Sequence, residues 1–422
     1  MKQTPFWVEE HPRPQGITSE LPSETDVLIV GSGLTGLSAS LRLARGGRTV
    51  VVVDAGEIAS GASSMNGGMV SPDIKAGIQI IFAEHGPELG REMWEATVRS
   101  VDIVSDLAAG ESIDVQIVRG GMAALGVGEG AHSKFEKSVA WYREHLGVDW
   151  EVLGPDRVGG IVGGNHFTTA LFEPEGIGIQ PASFVFGLAE RAAGAGAALV
   201  PNCTATAFEV EGAGFQVATS IGTVRAGDVV LATNGYTTAE PSPELARRVV
   251  PVGSYIIVTE PLGERAEAVF PRGSMTYTKK RLLNYMRRTP DDRILIGGRR
   301  NLHHGLDLEE SAADLQRQLL GYFPDLDGVA ITHVWGGKLA VPFDLVPHIG
   351  RIDGAWYALG YAGHGVGLST LMGHELGGML LGEERPSVFT KVPHPRRFYY
   401  RGNPWFLTPA SILYRTLDRL NR

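Results

Sequence analysis

The chain has 422 residues, 43% of them apolar and 20% charged, and 38 basic side chains stand against 47 acidic ones for a net charge of −9. That length suits two or three domains of roughly 100–200 residues each, with a large buried core. The negative balance argues against non-specific nucleic-acid binding, which needs a basic face, and the single cysteine, Cys203, excludes an intramolecular disulfide.

Cys203 sits in an alternating, strand-like stretch and reads as a small buried apolar residue. The opening MKQTPFWVEEHPRP holds no apolar signal region, and no uninterrupted apolar run is long enough to span a bilayer. The expectation is a cytoplasmic protein with no integral membrane segment, monomeric or homo-oligomeric. No internal repeat is visible. Residues 1–24, rich in Pro, Glu and aromatics, are expected to run over the surface as an arm.

Residues 26–54 read DVLIVGSGLTGLSASLRLARGGRTVVVVD. Four apolar residues, Val27–Val30, lead into Gly31, Gly33 and Gly36, and leucines follow at helical spacing. A second apolar run, Val50–Val53, ends in Asp54. The spacing predicts strand, tight turn, helix and strand. Gly31 permits the turn, Gly33 lets the backbone approach a pyrophosphate, and Gly36 lets the helix lie against the strand. The helix N-terminus offers N–H groups and positive dipole to phosphates. Asp54 stands where an acid accepts hydrogen bonds from a ribose hydroxyl. The unit therefore predicts a dinucleotide site.

Residues 55–72, AGEIASGASSMNGGMVSP, are a loop dense in small donors, placed to fold back towards the phosphates and any ring system beyond. Residues 87–109 and 131–145 read as helices, and VQIVRGGMAALGVG between them as strands around a Gly turn. Residues 181–197 form a helix with Pro181 near its start. Short alternating runs at 198–200, 204–210, 215–219 and 223–226 suggest a small antiparallel layer. The apolar strand 228–231 then enters the turn Ala232–Tyr236.

A second strand-rich block follows, with strands expected at 249–259, 282–288 and 293–296 and a helix at 307–323. The strand 329–334 leads to Trp335-Gly336-Gly337-Lys338. Residues 356–359 are a strand, followed by the glycine-rich turn 360–368 that opens a helix, 369–381. The segment 393–422 is Pro- and Arg-rich, then aromatic, and ends amphipathic. It packs on the surface or touches a partner or a membrane surface; the sequence leaves these alternatives open. Two glycine-framed helix N-termini suit a long ligand: one end carries a pyrophosphate and the other places positive dipole near a ring that becomes anionic. A reduced flavin needs that stabilisation and a nicotinamide does not, which favours FAD over NAD.

The motifs DVLIVGSGLTGLSA, GASSMNGG, VVLATNGY, ILIGGR, WGGKLAVPFDLVPHIG and GYAGHGVGLS, in that order, resemble the D-amino-acid-oxidase superfamily of FAD-dependent amine oxidoreductases. The nearest branch is that of glycine oxidase, sarcosine oxidase and gamma-glutamylputrescine oxidase. The resemblance covers nearly the whole chain. It implies an α/β (α+β) architecture: a Rossmann-like FAD-binding domain with a parallel sheet, plus an antiparallel-sheet substrate-binding domain. The implied division is 1–80, 160–240 and 328–392 for FAD, 81–159 and 241–327 for substrate, and a tail at 393–422.

The resemblance also implies a reaction. Hydride passes from the C–H beside an amine nitrogen to flavin N5, the imine is hydrolysed, and dioxygen is reduced to hydrogen peroxide. The partners would be a small amine or amino acid and O2. Alternatives are a dehydrogenase of the same fold that passes electrons to a quinone or a partner, or a flavin-bearing subunit without turnover of its own. Where monomeric sarcosine oxidase tethers its flavin through a cysteine, this chain has Gly337, so the FAD should be non-covalent. The lysine found in that enzyme's segment like ILIGG is missing, and Lys338 lies nearby as a substitute.

Carried onto this sequence, the cofactor contacts are Gly31, Gly33, Leu34, Thr35, Gly36, Asp54 and Ala55. They continue with Gly61, Ala62, Ser63, Ser64, Asn66, Gly67, Gly68 and Met69, then Ala205, Ala232, Thr233, Asn234, Gly235, Trp335 and Gly337. The last group is Gly360, Gly363, His364, Gly365, Val366 and Gly367. Candidate catalytic residues are Tyr255, Tyr285, Arg299, Lys338, His348 and His364. Arg288 and Arg299 are weighed as forks for a substrate carboxylate, whereas Arg287, Arg288 and Arg300 read more naturally as solvated charges. Met65 and Met69 shape an apolar pocket or pack the loop. His303-His304 resembles a metal pair only superficially, so no metal is expected.

Overall fold

The computed structural model describes residues 1–299, 301–383 and 386–420. Among the described residues, eighteen strands fall into two eight-stranded sheets and a two-stranded ribbon. In chain order they are β1 (Glu24–Val30), β2 (Val50–Val53), β3 (Met69–Val70), β4 (Met122–Gly126), β5 (Glu151–Leu153), β6 (Thr169–Glu173), β7 (Ile177–Gly178), β8 (Ala198–Val200) and β9 (Ala205–Glu211). Then come β10 (Gly214–Thr219), β11 (Gly222–Leu231), β12 (Val249–Thr259), β13 (Met275–Thr278), β14 (Tyr285–Arg288), β15 (Ile294–Gly298), β16 (Ile331–Pro342), β17 (His348–Ile352) and β18 (Ala355–Leu359). The helices that matter below are α1 (Leu34–Arg45), α2 (Pro87–Gly110), α3 (Pro181–Gly194), α4 (Leu308–Tyr322), α5 (Gly365–Leu381) and α6 (Leu407–Leu420).

The first sheet runs β17-β18-β11-β1-β2-β8, with β10 and β9 added antiparallel on β11. Its centre is parallel: β1 pairs with β2 and β11, β2 with β8, and β11 with β18. β1 and β2 carry near-continuous apolar runs because both faces of the sheet are covered: Val27, Ile29, Val50 and Val52 pack with α1, α3 and α5, and Leu28, Val30, Val51 and Val53 with strand residues such as Phe215 and Val217 of β10. The second sheet runs β16-β12-β15-β14-β13-β4-β6-β5 and is antiparallel except at β13–β4. β12 pairs with β16 along its whole length, from Val249 opposite Pro342 to Thr259 opposite Ile331.

Several elements are longer or shorter than their sequence patterns suggest. The runs at 223–226 and 228–231 join into β11, because Gly227 is compatible with extended backbone beside Asp26. The strand expected at 329–334 instead runs from Ile331 to Pro342 as β16, so that residues 335–338 lie in its middle, kept extended by pairing with β12. β14 begins only at Tyr285, and of residues 115–119 only Val118 pairs, in a bridge to Gly178. The helix after the last glycine turn starts at Gly365 rather than Ser369. The N-terminal arm is not a surface feature throughout: Phe6 and Trp7 form a short helix, Phe6–Glu10, and are 2% and 1% exposed. Their aromatic area repays burial by the hydrophobic effect, and the Trp7 indole finds an acceptor inside.

α1 and α5 cross at very short range. A Cβ at Gly36 would lie 2.0 Å from the Gly31 carbonyl oxygen, so α1 rests directly on the turn after β1. A Cβ at Gly373 would lie 2.2 Å from the Thr35 carbonyl oxygen, and one at Gly377 would lie 3.2 Å from that of Ala39. Ser38 Oγ donates to the Thr370 carbonyl at 2.8 Å, and the Thr35 and Tyr361 hydroxyls share a 2.6 Å hydrogen bond.

Gly373→Ala is therefore expected to force the helices apart. Overpacking of this kind costs about 1–3 kcal/mol, and here the obstacle is backbone. Urea denaturation should show a lower midpoint for Gly373→Ala, whereas Gly321→Ala on α4, where an added Cβ meets nothing within 4 Å, should cost less.

Candidate active site

A cavity of about 500 Å³ opens between the two sheets. One end is the N-terminus of α1, with Gly33, Leu34 and Thr35. The loop Ala62–Met69 forms one side, and Gly363–Gly367 at the start of α5 another. Ser254, Ile256, Tyr285, Arg299, Gly337 and Lys338 cover it from the second sheet. Neither Gly33 nor His364, the residues that cap α1 and α5, donates a side chain to its helix. Two helix N-termini thus present N–H groups and positive dipole to one cavity. At α1 the Leu34 N–H reaches Ser63 Oγ at 3.0 Å.

The loop beside them is held by residues remote in sequence. Trp335 Nε1 donates to the Met65 carbonyl at 2.8 Å, and Trp7 Nε1 to that of Asn66 at 2.9 Å. Arg287 Nη1 donates to the carbonyls of Gly68 and Ile179, both at 2.9 Å, and to that of Gly67 at 3.3 Å. Asn66 Nδ2 donates to the carbonyls of Ser63 and Ala62, and Asn66 Oδ1 accepts from Gly68 N at 2.8 Å. Six loop carbonyls are thereby occupied by protein donors. Ser64 is buried, bonding the Ala59 carbonyl, and Gly61 lies against the Tyr236 ring. Met65 and Met69 both line the cavity.

Beside the N-terminus of α1, Asp54 follows β2. Its Oδ2 accepts from Ser32 N at 2.8 Å and Ser32 Oγ at 2.5 Å, and its Oδ1 from Gly56 N at 3.0 Å. A carboxylate has about four acceptor positions, so one is left. The chain beside it, from Cys203 N bonded to the Asp54 carbonyl, leads to Ala205 on β9, buried and off the cavity wall. Ala55 follows Asp54 outside that wall. In the turn after β11, Ala232 and Asn234 line the cavity. Asn234 Oδ1 accepts from Gly360 N at 3.1 Å, which ties the two glycine turns together, and Thr233 bonds Thr237. A Cβ at Gly235 would meet the Lys338 carbonyl oxygen at 2.8 Å.

Of the residues singled out for chemistry, Tyr285, Arg299, Lys338 and His364 reach the cavity. Tyr255 does not. Ser254 and Ile256 line the wall, and strand alternation turns Tyr255 to the opposite face. There its hydroxyl accepts from Leu306 N at 2.8 Å. His348 is also a correction: it is fully buried on β17, stacked on His394 at 4.1 Å and bonded to Asp344 at 3.0 Å, away from the cavity. Arg287, read as a solvated charge, is 1% exposed. Burial pushes its pKa down to about 10, so it stays charged at neutral pH. Arg288 is paired with Asp292 at 2.7 Å, and Arg300 lies outside the described residues.

The cavity also holds residues that the sequence did not single out: Asp73, Lys75, Tyr277 and Lys279. Nothing local in their patterning marks them. Lys75 is exposed at the cavity wall, where partial desolvation by the surrounding protein lowers its pKa and the nearby Arg299 charge adds to the effect. Burial lowers the His364 pKa, partly offset by Asp73, whose Oδ2 lies 3.8 Å from His364 Nε2. Behind the wall, the Tyr277 hydroxyl donates to Glu173 Oε1 at 3.1 Å. Burial, with Asp73 adding, raises the Glu173 pKa to about 8. Among the described residues no group of three His, Cys, Asp or Glu is placed to hold a metal ion, and no helix is long and apolar enough to cross a membrane.

The residues fit an FAD. The glycine cradle at the α1 N-terminus suits a pyrophosphate, and α5 presents a second N-terminus to a ring. Arg299 Nε and His364 Nδ1 are buried on the cavity side with no hydrogen-bond partner among the described residues, as expected of groups that meet a ligand. Cys203, the only cysteine, is buried in the first sheet, so no cysteine tether reaches the cavity.

A family model described as "DAO: FAD dependent oxidoreductase" matches residues 26–379. The chain is 30% identical over 372 residues to the gamma-glutamylputrescine oxidoreductase of Escherichia coli, covering 87% of each chain. It is 25% identical over 381 residues to the glycine oxidase of Geobacillus kaustophilus, covering 87% of this chain and 95% of that one. The crystal structure of glycine oxidase from Geobacillus kaustophilus superposes with a TM-score of 0.76 at 21% identity, covering 90% of this chain and all of that one. L-proline dehydrogenase from P. horikoshii gives 0.71 at 19%, covering 87% and 96%. At these identities the two structures speak to the fold alone.

The buried Glu173 sets a pH dependence of stability. Its folded pKa of about 8 lies above the ordinary 4.5. The folded state therefore keeps a proton that the unfolded state has lost, and stability falls as pH rises through that window. Glu173→Gln, which can still accept from Tyr277, should match the parent near pH 4.5 and exceed it at pH 8. The gain should be about 4 kcal/mol at most. Denaturation midpoints at the two pH values measure it; an equal margin at both would contradict the assignment.

Proposed function

Because the chain belongs to the DAO family of FAD-dependent oxidoreductases, we propose that it oxidises the C–N bond of an amine that also carries a carboxylate, either an amino acid or a γ-glutamyl amine. The observation that carries this reading is Arg299: its guanidinium lines the cavity with Nε unpartnered, beside Lys75 and Lys279. A partly buried guanidinium that has no ion-pair partner among the described residues is suited to an incoming anion, and its planar fork suits a carboxylate. Two of the relatives carry such substrates in their printed names, gamma-glutamylputrescine and glycine.

In this reading, segments 1–80, 160–240 and 328–392 bind the cofactor and 81–159 and 241–327 the substrate. Gly31, Gly33, Leu34, Thr35 and Gly36 receive the pyrophosphate, and Asp54, Ala55 and Ala205 receive the adenosine. The 61–69 loop, the 232–235 turn, Trp335, Gly337 and the 360–367 turn frame the ring. FAD held there would supply the hydride acceptor for the C–H beside nitrogen, with dioxygen as the electron acceptor and hydrogen peroxide as the product in the oxidase reading. The protein's part is orientation and electrostatics. Arg299 fixes the carboxylate and Tyr285 walls the substrate site. The amine must be neutral to release hydride, and cations at Arg299, Lys75 and Lys279 disfavour its ammonium form. His364, held near neutral charge by burial, lies beside the ring end, and Lys338 is a cation for the oxygen step.

Arg299→Gln is expected to raise KM for a carboxylate-bearing amine about 10–100-fold, the size of a lost charged hydrogen-bond pair. KM for the matching amine without a carboxylate should change little. An equal effect on both would remove Arg299 from carboxylate recognition. Flavin bleaching without oxygen across glycine, sarcosine, D-amino acids and glutamylated diamines identifies the preferred class.

A second reading, a dehydrogenase that passes electrons to a quinone or partner, is favoured by one observation: β15, Ile294–Gly298, carries no lysine. The oxidase reading expects stoichiometric peroxide under air, and the dehydrogenase reading expects dye reduction without peroxide. Lys338→Met should slow flavin reoxidation by oxygen at least about 10-fold if Lys338 serves that step, as loss of a charge next to developing anionic oxygen would.

A further inference from the structure

We propose that residues 393–420 form a membrane-docking surface that takes the interface of a bilayer containing anionic lipid. Eleven large apolar side chains are exposed among the described residues, and five of them fall here: Phe398 (90% exposed), Tyr399, Trp405 (63% exposed), Ile412 and Leu413. The aromatic ones are contiguous. Phe398 meets Tyr399 at 5.5 Å, Tyr399 meets Phe406 at 6.2 Å, and Phe406 meets Trp405 at 5.8 Å.

The segment is anchored, not loose. Tyr400 and Leu407 are buried with Val250, Val252, Leu282 and Leu302. Asp418 accepts from Arg281 N and Leu282 N at 2.9 and 3.0 Å, and Ser411 Oγ accepts from Leu302 N at 3.0 Å. One face of α6 is thus satisfied inside the protein, while the other holds Ile412 and Leu413 out to solvent. An apolar patch displayed by a held element marks an interaction site.

Charge selects the occupant. Residues 393–422 contain six arginines and one aspartate, a net of +5, so the first 392 residues carry −14 of the chain's −9. Arg397 and Arg401 are exposed next to the aromatic residues in sequence, and Arg415 is exposed on α6. Trp, Tyr and Phe rimmed by arginine, just ahead of an amphipathic helix, suit the headgroup boundary, where anionic lipid attracts each basic residue. A second copy docking tail to tail would bring two segments of +5 together, which charge disfavours. The acidic body would point away from the lipid.

The test is sedimentation of the full holoenzyme with phosphatidylcholine vesicles, with and without phosphatidylglycerol. Partitioning is expected to be at least about 10-fold stronger into the anionic vesicles at low salt and to weaken as salt is raised. Phe398→Ser with Trp405→Ser, and separately Arg397→Gln with Arg401→Gln, should each reduce partitioning about 10-fold or more. Their melting temperatures and flavin spectra should be those of the parent, since all four side chains are exposed. Brominated lipid should quench tryptophan fluorescence in the parent and less in Trp405→Phe. Absence of partitioning, or partitioning indifferent to these substitutions, overturns the proposal. A dimer in light scattering that is lost in Phe398→Ser with Trp405→Ser, without vesicle binding, overturns it in favour of a second copy. Binding here is read without turnover, so it stands or falls apart from the substrate assignment.

Discussion

The architecture of the site depends on one contact, the crossing of α1 and α5. Both helices must begin at the same cavity, yet they come from segments more than 300 residues apart in sequence. Side chains of ordinary size at the crossing would separate the axes and move the two N-termini apart. Glycine at 373 and 377 lets α5 approach the α1 backbone, and the Ser38–Thr370 and Thr35–Tyr361 hydrogen bonds set the depth of the approach. Close approach also removes water from between the helices, which strengthens the field that the two termini direct into the cavity. Packing and electrostatics are therefore the same feature at this point of the fold.

The loop that lines the cavity obeys a related rule. Glycine-rich backbone is costly to order, and residues 61–69 contain little side chain to pack. Order is imposed from outside by two indole N–H groups and one guanidinium, each aimed at a backbone carbonyl. Arg287 is the most demanding of them. A buried cation without a carboxylate is tolerated only when its donors are met, and three carbonyls meet one of its nitrogens. Trp7 lies beneath it at 5.5 Å, so the N-terminal helix, the loop and the second sheet close on one another.

This explains which parts of the site were legible in the sequence. The β1–α1–β2 unit is local: its signals lie within thirty residues and their order is the structure. The glycine turn before α5 is local too. The walls are not. Ser254 and Tyr255 differ by one position, and only the phase of β12 decides which faces the cavity. That phase is set by pairing with β16, some eighty residues away. Lys75 and Lys279 come from unrelated connections, and no spacing links them to Arg299. His348 shows the reverse error, a residue next to a motif whose strand carries it to the other side of the sheet. Arg287 looked solvated because charge predicts exposure on average, whereas burial here is specified by carbonyls that the loop presents only once folded.

The rim of the cavity and the arginine-rich segment share a mechanical link. Lys279 and Lys280 sit in the turn between β13 and β14, and Leu283 in the same turn lines the cavity. That turn has no regular backbone pairing of its own at 281–282, where the N–H groups go to Asp418 on α6. Lys280 is braced on the other side by the Tyr322 hydroxyl of α4, which in turn donates to Asn284. A cationic rim would otherwise splay under its own repulsion. Held between α4 and α6, it keeps positive potential over a cavity mouth in a protein whose body is strongly acidic. Field lines from such a rim converge on the opening, which accords with the proposed carboxylate-bearing substrate. The position of α6 therefore bears on what enters the site as well as on what the outer face of the helix meets.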